Sequence, residues 1–150
     1  MSLKDKLTED MKQAMKDKEA GKLRLSVIRM VRAAIKNVEI DTKAELAEED
    51  VIAIVAKEVK MRRDSMEEFK KGQRDDLVAQ LEQEIEVLLP YLPQQLPEAE
   101  VREIVTEAVA IAGATSSKDM GKVMAVLMPK VKGRADGKLV NNIVRELLNQ

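Results

Sequence analysis

The chain has 150 residues, 45% of them hydrophobic, enough to bury one ordinary core or two small helical ones and too many for disorder throughout. Charged residues make up 35% but the net charge is only -1, so attraction for a polyanion must come from local clusters of Lys and Arg. The absence of both Cys and His excludes disulfides, thiolate nucleophiles, Ser-His-Asp systems and nearly all transition-metal sites, and neither a metal nor a cofactor is expected.

The N-terminus, Met1-Ser2-Leu3-Lys4-Asp5, reads as the start of an amphipathic helix and not as a secretory signal. No apolar run approaches the roughly 18 residues of a membrane span, so no membrane partner is expected and the expected location is cytoplasmic. Leu3, Leu7, Met11, Ala14 and Met15 recur at helical spacing behind Ser2, with Asp5 placed to complete a capping box, which predicts a first helix over 3–19. Gly21 interrupts the pattern. Leu23, Val27, Met30, Val31, Ala34, Ile35 and Val38 then define a second helix to about Glu39.

A polar, acidic stretch from Ile40 to Glu49 precedes a long third helix carrying Ile52, Val55, Val59, Met66 and Phe69 and ending near Gly72. Its start lies either near Thr42, with Glu45 three residues on, or after Ala47, which offers no capping oxygen. Leu77, Leu81, Ile85 and Leu88 form the stripe of a fourth helix that must stop before Pro90.

Pro90, Pro93 and Pro97 remove amide donors and disfavour helix before each, which marks a boundary between a helical unit over 1–92 and a second over 96–150. Pro97 suits the first position of a fifth helix, with Glu98 and Glu100 near its positive end and Val101, Ile104, Val105, Ala108 and Ala112 on its apolar face. Gly113 stops it. Ser117 is expected to cap a sixth helix from Lys118 to about Met128, and Asp136 a seventh carrying Leu139, Val140, Ile143, Val144, Leu147 and Leu148. The predicted fold is therefore all-α, a four-helix unit followed by a small three-helix bundle.

Two basic clusters carry what chemistry the sequence offers. From Lys22 to Lys36 there is no acidic residue, and Arg24, Arg29, Arg32 and Lys36 make a positive face on the second helix. One reading is a solvated surface neutralised by the acidic segments Glu45 to Asp50 and Asp75 to Glu86, and the other is a secondary anion contact. Near the C-terminus, Lys122, Lys130, Lys132, Arg134 and Lys138 face only Asp119 and Asp136. Gly133 and Gly137 lead there into a helix start, where unpaired amides attract anions. The same glycines also suit a plain tight connection in which Asp136 merely caps and the lysines keep the loop soluble.

Met120, Met124 and Met128 recur every four residues and read as core in preference to an adaptable groove. Arg62 and Arg63 read as members of helical ion pairs among Lys57, Glu58, Lys60 and Asp64. Phe69 and Tyr91 are the only aromatics, so a nucleic acid would be held by its phosphates and shape, not by stacking. With no Gly-rich phosphate loop or nucleophile elbow, no residue can be named as catalytic.

The segments Arg32-Ala33-Ala34-Ile35-Lys36-Asn37-Val38-Glu39-Ile40, Arg62-Arg63-Asp64-Ser65, Tyr91-Leu92-Pro93, Met120-Gly121-Lys122-Val123-Met124 and Gly133-Arg134-Ala135-Asp136-Gly137 resemble those of the YqeY family. The C-terminal part of that family is similar to the tail of GatB, a subunit of the glutamine-dependent amidotransferase that corrects misacylated tRNA. The resemblance covers essentially the whole chain and implies an all-helical fold. It also implies tRNA contact without intrinsic chemistry, with an amidotransferase or aminoacyl-tRNA synthetase as further partners. The competing expectation is a helical adaptor docking on one of those enzymes. Carbon-nitrogen ligase activity with glutamine as amido donor is the weakest expectation, because the chemical sites of the amidotransferase lie outside its tail. The sequence departs from the family pattern at Ala47 and Leu96-Pro97, where a hydroxyl cap is more usual.

Overall fold

Ser2 opens the helical structure in the computed structural model, which describes residues 1–149. Its hydroxyl accepts from the Asp5 N–H at 3.1 Å and the Asp5 carboxylate accepts from the Ser2 N–H at 3.4 Å, closing the capping box of α1 (Leu3–Lys16). α1 stops short of the expected residue 19, because the chain passes into a tight 3₁₀ turn over Lys18–Gly21 before α2 (Lys22–Thr42). Gly21 makes this possible: a Cβ there would lie 2.2 Å from the Ala14 carbonyl oxygen, so only a residue without one lets the turn close on α1.

α3 (Glu48–Lys71) starts after Ala47, which settles the two readings of its origin. With no side-chain oxygen at Ala47 the capping box is half made. The Asp50 carboxylate accepts from the Ala47 N–H at 3.2 Å, and the Asp50 N–H has only the Ala47 main-chain carbonyl, at 3.0 Å, in place of a side-chain oxygen. Three acidic residues in the first turn, Glu48, Glu49 and Asp50, suit the positive end of the helix. α4 (Asp75–Leu88) ends ahead of Pro90 as predicted, in a 3₁₀ turn over Leu89–Tyr91.

The core of these four helices gathers Leu7, Val27, Ile28, Val31, Ile35, Val51, Val55, Val59, Ile85, Leu88 and Tyr91. Some apolar positions chosen from periodicity lie one residue off the buried row. Val51 and Val78 are buried where Ile52 and Leu77 are half-buried, and Met30 is exposed. A stripe wide enough to face a core leaves such choices open until the neighbouring helix is in place.

The last three helices are α5 (Glu98–Ala112), α6 (Met120–Val131) and α7 (Gly137–Leu148). Pro97 stands one position earlier than predicted, as the extended N-cap of α5. Gly113 ends α5 in the left-handed conformation, φ 64°. Ser117–Asp119 is a 3₁₀ turn, and α6 begins only after it and continues through Pro129 to Val131. The seam of α6 is Val123, Leu127 and Val131, packed with Val101, Val105, Ala108, Val140, Ile143, Val144 and Leu148. Met120 and Met124 are partly buried at its edge, and Met128 is exposed, so the methionine row flanks this core and does not form it.

The described residues are thus all-α, four helices followed by three, as the sequence predicts. They divide into two compact units, Met1–Leu92 and Pro93–Gln150. Among the described residues no helix is long and apolar enough to cross a membrane.

Candidate nucleic-acid interface

The turn joining α6 to α7 is braced by hydrogen bonds within the second unit. Lys132 leaves the helix at φ -58°, ψ 122°, and Gly133 follows at φ 74°, a left-handed conformation that favours glycine. The amides of Arg134 and Ala135 donate back to the Val131 carbonyl at 2.9 and 3.2 Å. The segment ahead of α5 then ties the turn down. The Leu96 N–H donates to the Arg134 carbonyl at 2.8 Å, and the Gln95 side-chain amide to the Gly133 carbonyl at 2.8 Å. The Arg134 Nε donates to the Gln94 carbonyl at 3.2 Å. These partners stand about forty residues from the turn, too far along the chain for any local pattern to announce them.

On this frame Lys130, Lys132 and Lys138 are exposed. Among the described residues no carboxylate pairs with Lys130 or Lys132. Arg134 is half-buried and spends one N–H on the Gln94 carbonyl. Lys122 stands apart: it lies eight residues before Lys130, about 12 Å of helical rise away. Its ammonium lies 3.9 Å from Asp119, whose carboxyl is held below the usual range chiefly by the Thr115 N–H at 3.0 Å. The turn therefore groups Lys130, Lys132, Arg134 and Lys138, without Lys122.

The helix start itself is not an open anion site. The Asp136 side chain caps α7, accepting from the Lys138 N–H at 3.2 Å, so a carboxylate already occupies the place expected for a phosphate. Any grip on an anion here falls to the side-chain cations.

The basic face of α2 also resolves into parts. Arg24 pairs with Asp10 at 3.4 Å, and Asp10 accepts a short hydrogen bond from the Tyr91 hydroxyl. Arg29, Arg32 and Lys36 instead line a groove of about 400 Å³ against α1, together with Lys4, Leu7, Thr8, Ala33, Ile35 and Glu39. Lys4 is paired with Glu39 at 2.8 Å and with Glu45 at 3.6 Å. The hydrogen bond to Glu39 raises the Lys4 pKa, and the same bond, with the Leu46 N–H, lowers that of Glu39. Of the two acidic segments, the first thus reaches Lys4 through Glu45, but among the described residues neither forms an ion pair with Arg29, Arg32 or Lys36. The Arg32 Nη1 donates to the Met11 Sδ at 2.8 Å, a weak acceptor.

Arg62 makes the helical ion pair read from its neighbours, but from a buried position. It is 5% exposed. It donates to the Glu58 carboxylate at 2.8 Å, to the Glu58 carbonyl at 3.0 Å and across to Glu84 of α4 at 3.1 Å. The Glu58 contact is the predicted helical pair, whereas Glu84 could not be chosen from sequence among the acidic residues of α4. Among the described residues no group of three or more carboxylates is placed to hold a metal ion.

Residues 4–148 match the YqeY family, described as Yqey-like protein. The chain belongs to the YqeY family. It is also similar to proteins named altered inheritance of mitochondria protein 41, mitochondrial. The one from Pyrenophora tritici-repentis (strain Pt-1C-BFP) is 31% identical over 95% of this chain and 79% of its own length. That from Saccharomyces cerevisiae (strain YJM789) is 32% identical over 86% and 68%. That from Lachancea thermotolerans is 41% identical over 65% of this chain and 51% of its own length. Against several of these relatives the chain spans little more than half of their length. The expectation of a cytoplasmic location is corrected by this finding, since YqeY-family relatives aligning with most of the chain are named as mitochondrial proteins. A lack of cysteine fits any reducing compartment and does not distinguish one from another.

Proposed function

We propose that this YqeY-family chain is a tRNA-binding accessory module that contacts backbone phosphates through the α6–α7 turn. The observation that carries the reading is the exposure of Lys130 and Lys132, without a carboxylate partner among the described residues, on a turn held rigid by Gln94, Gln95 and Leu96. Rigid placement of cations lowers the ordering cost of contact. Lys138 and Arg134 stand on the same turn, and the family's likeness to the GatB tail supplies the choice of tRNA among polyanions. Base selectivity is low in this reading, because phosphate contacts position an RNA without reading its sequence.

Four phosphate contacts give a slope of log affinity against log salt of about -3 to -4, near -0.9 for each on a duplex. Filter binding of tRNA across a salt series measures it, and a slope near zero overturns the proposal. Lys130→Glu combined with Lys132→Glu is expected to weaken binding and flatten that slope.

Exposed Met128, two residues from Lys130, favours a second reading, an adaptor whose turn meets an acidic protein surface with an apolar spot. Capture of an amidotransferase or synthetase by the nuclease-treated protein, lost in the same double variant while tRNA binding persists, would support that reading in place of the first.

A further inference from the structure

We infer that the groove between α1 and α2 is a separate site for a small molecule bearing a phosphate monoester, gripped by Arg29, Arg32 and Lys36. These three cations stand at i, i+3 and i+7, the spacing that brings side chains to one face of a helix, over about 10 Å of rise. Glu39 is the one carboxylate among the residues lining the groove; it is hydrogen-bonded by Lys4 and the Leu46 N–H, and the charge of Lys36 acts on it only as the weakest of its influences. Neighbouring like charges on a helix repel, and a dianion bound between them more than offsets that repulsion.

The floor is apolar, with Leu7 fully buried and Ile35 nearly so. A volume of about 400 Å³ falls within the range of small-molecule sites. The Arg32 guanidinium is already steadied by the Met11 sulfur and keeps its remaining N–H groups for a ligand. A phosphate monoester, with about two negative charges and three acceptor oxygens, matches two guanidiniums and an ammonium better than a single carboxylate does. Concavity and an apolar floor favour a compact ligand with a short body over an RNA backbone, which needs no such floor.

The test is an amide NMR titration of the full chain with ribose 5-phosphate, inorganic phosphate, acetate and a short single-stranded RNA. Saturable shifts with both phosphates, centred on residues 4–11 and 29–39 and much weaker with acetate, are expected. Arg29→Ala with Lys36→Ala removes two exposed side chains without touching the core, and circular dichroism checks that the fold is kept. Loss of their charge-assisted bonds should weaken phosphate binding at least tenfold, each such bond contributing about 1.5 kcal/mol or more. Lys130→Glu combined with Lys132→Glu, which weakens tRNA binding in the reading above, should leave this titration unchanged, so the two proposals fail separately. Absence of saturable shifts, equal response to acetate, or insensitivity to the double variant overturns the assignment. So does RNA binding in the groove more tightly than ribose 5-phosphate, which would make it part of an RNA surface.

Discussion

Arg62 of α3 and Glu84 of α4 form a buried ion pair, Nε to Oε1 at 3.1 Å, with side chains only 6% and 13% exposed. Glu58 shares the same guanidinium at 2.8 Å and is itself 12% exposed. Removing the cation leaves two carboxylates with little access to water, Glu84 keeping only the long hydrogen bond from the Gln80 amide at 3.4 Å. Arg62→Met is therefore expected to destabilise the protein by about 3–5 kcal/mol. Adding Glu58→Gln and Glu84→Gln should recover much of that loss, since neutral amides tolerate burial better than charges. Urea unfolding of the parent, the single variant and the triple variant measures both effects, and a loss below about 1 kcal/mol in Arg62→Met would place the pair among inconsequential surface contacts.

Gly21→Ala is expected to destabilise by about 1–3 kcal/mol, although alanine is the better helix former. The new methyl would stand 2.2 Å from the Ala14 carbonyl oxygen, and backbone must shift to admit it. Thermal unfolding distinguishes this from the small gain expected of the same substitution at an uncrowded glycine.

Burial, and then the hydrogen bond to Asp10, push the Tyr91 hydroxyl up to about 12, while Arg24 partly opposes the shift. A group whose folded pKa is raised gives stability that is complete below its unfolded value, near 10, and is lost as pH rises through the folded one. The denaturant midpoint should accordingly fall more steeply between pH 10 and 12 in the parent protein than in Tyr91→Phe. Parallel profiles would show that the phenol does not couple to folding. The comparison with the variant is needed because lysines titrate in the same window.

Asp136→Asn separates the cap of α7 from its charge. Asparagine keeps an oxygen for the Lys138 N–H, so stability should change by only a few tenths of a kcal/mol. Removing a negative charge from the turn that carries Lys130 and Lys132 should raise tRNA affinity if that turn is the contact surface. Unchanged binding in a salt series would count against the proposed location.

Helices, their order and many of their caps were readable from local pattern, because Ser2 with Asp5, Gly113 and Asp136 act within a turn of themselves. Which apolar row faces inward was not always readable. Val123, Leu127 and Val131 are displaced from the methionine row by one to three positions, and hydropathy alone does not rank the two. Contacts over long separation were invisible. Lys4 reaches Glu39 across 35 residues, and both line the groove that Arg29, Arg32 and Lys36 share. The cations of the final turn were named from composition, whereas the setting apart of Lys122 and the occupation of the helix start by Asp136 needed coordinates.

Ala47 gives α3 a weak front edge. No side-chain oxygen answers the amides at its start, so solvent has its easiest entry into this long helix there. Deuterium should appear in Glu48 and Glu49 well before the middle of α3, and unravelling from that end would loosen the tether from the Leu3 N–H to Glu48. Serine in place of Ala47 would complete the capping box and is expected to stiffen this end by about 1 kcal/mol.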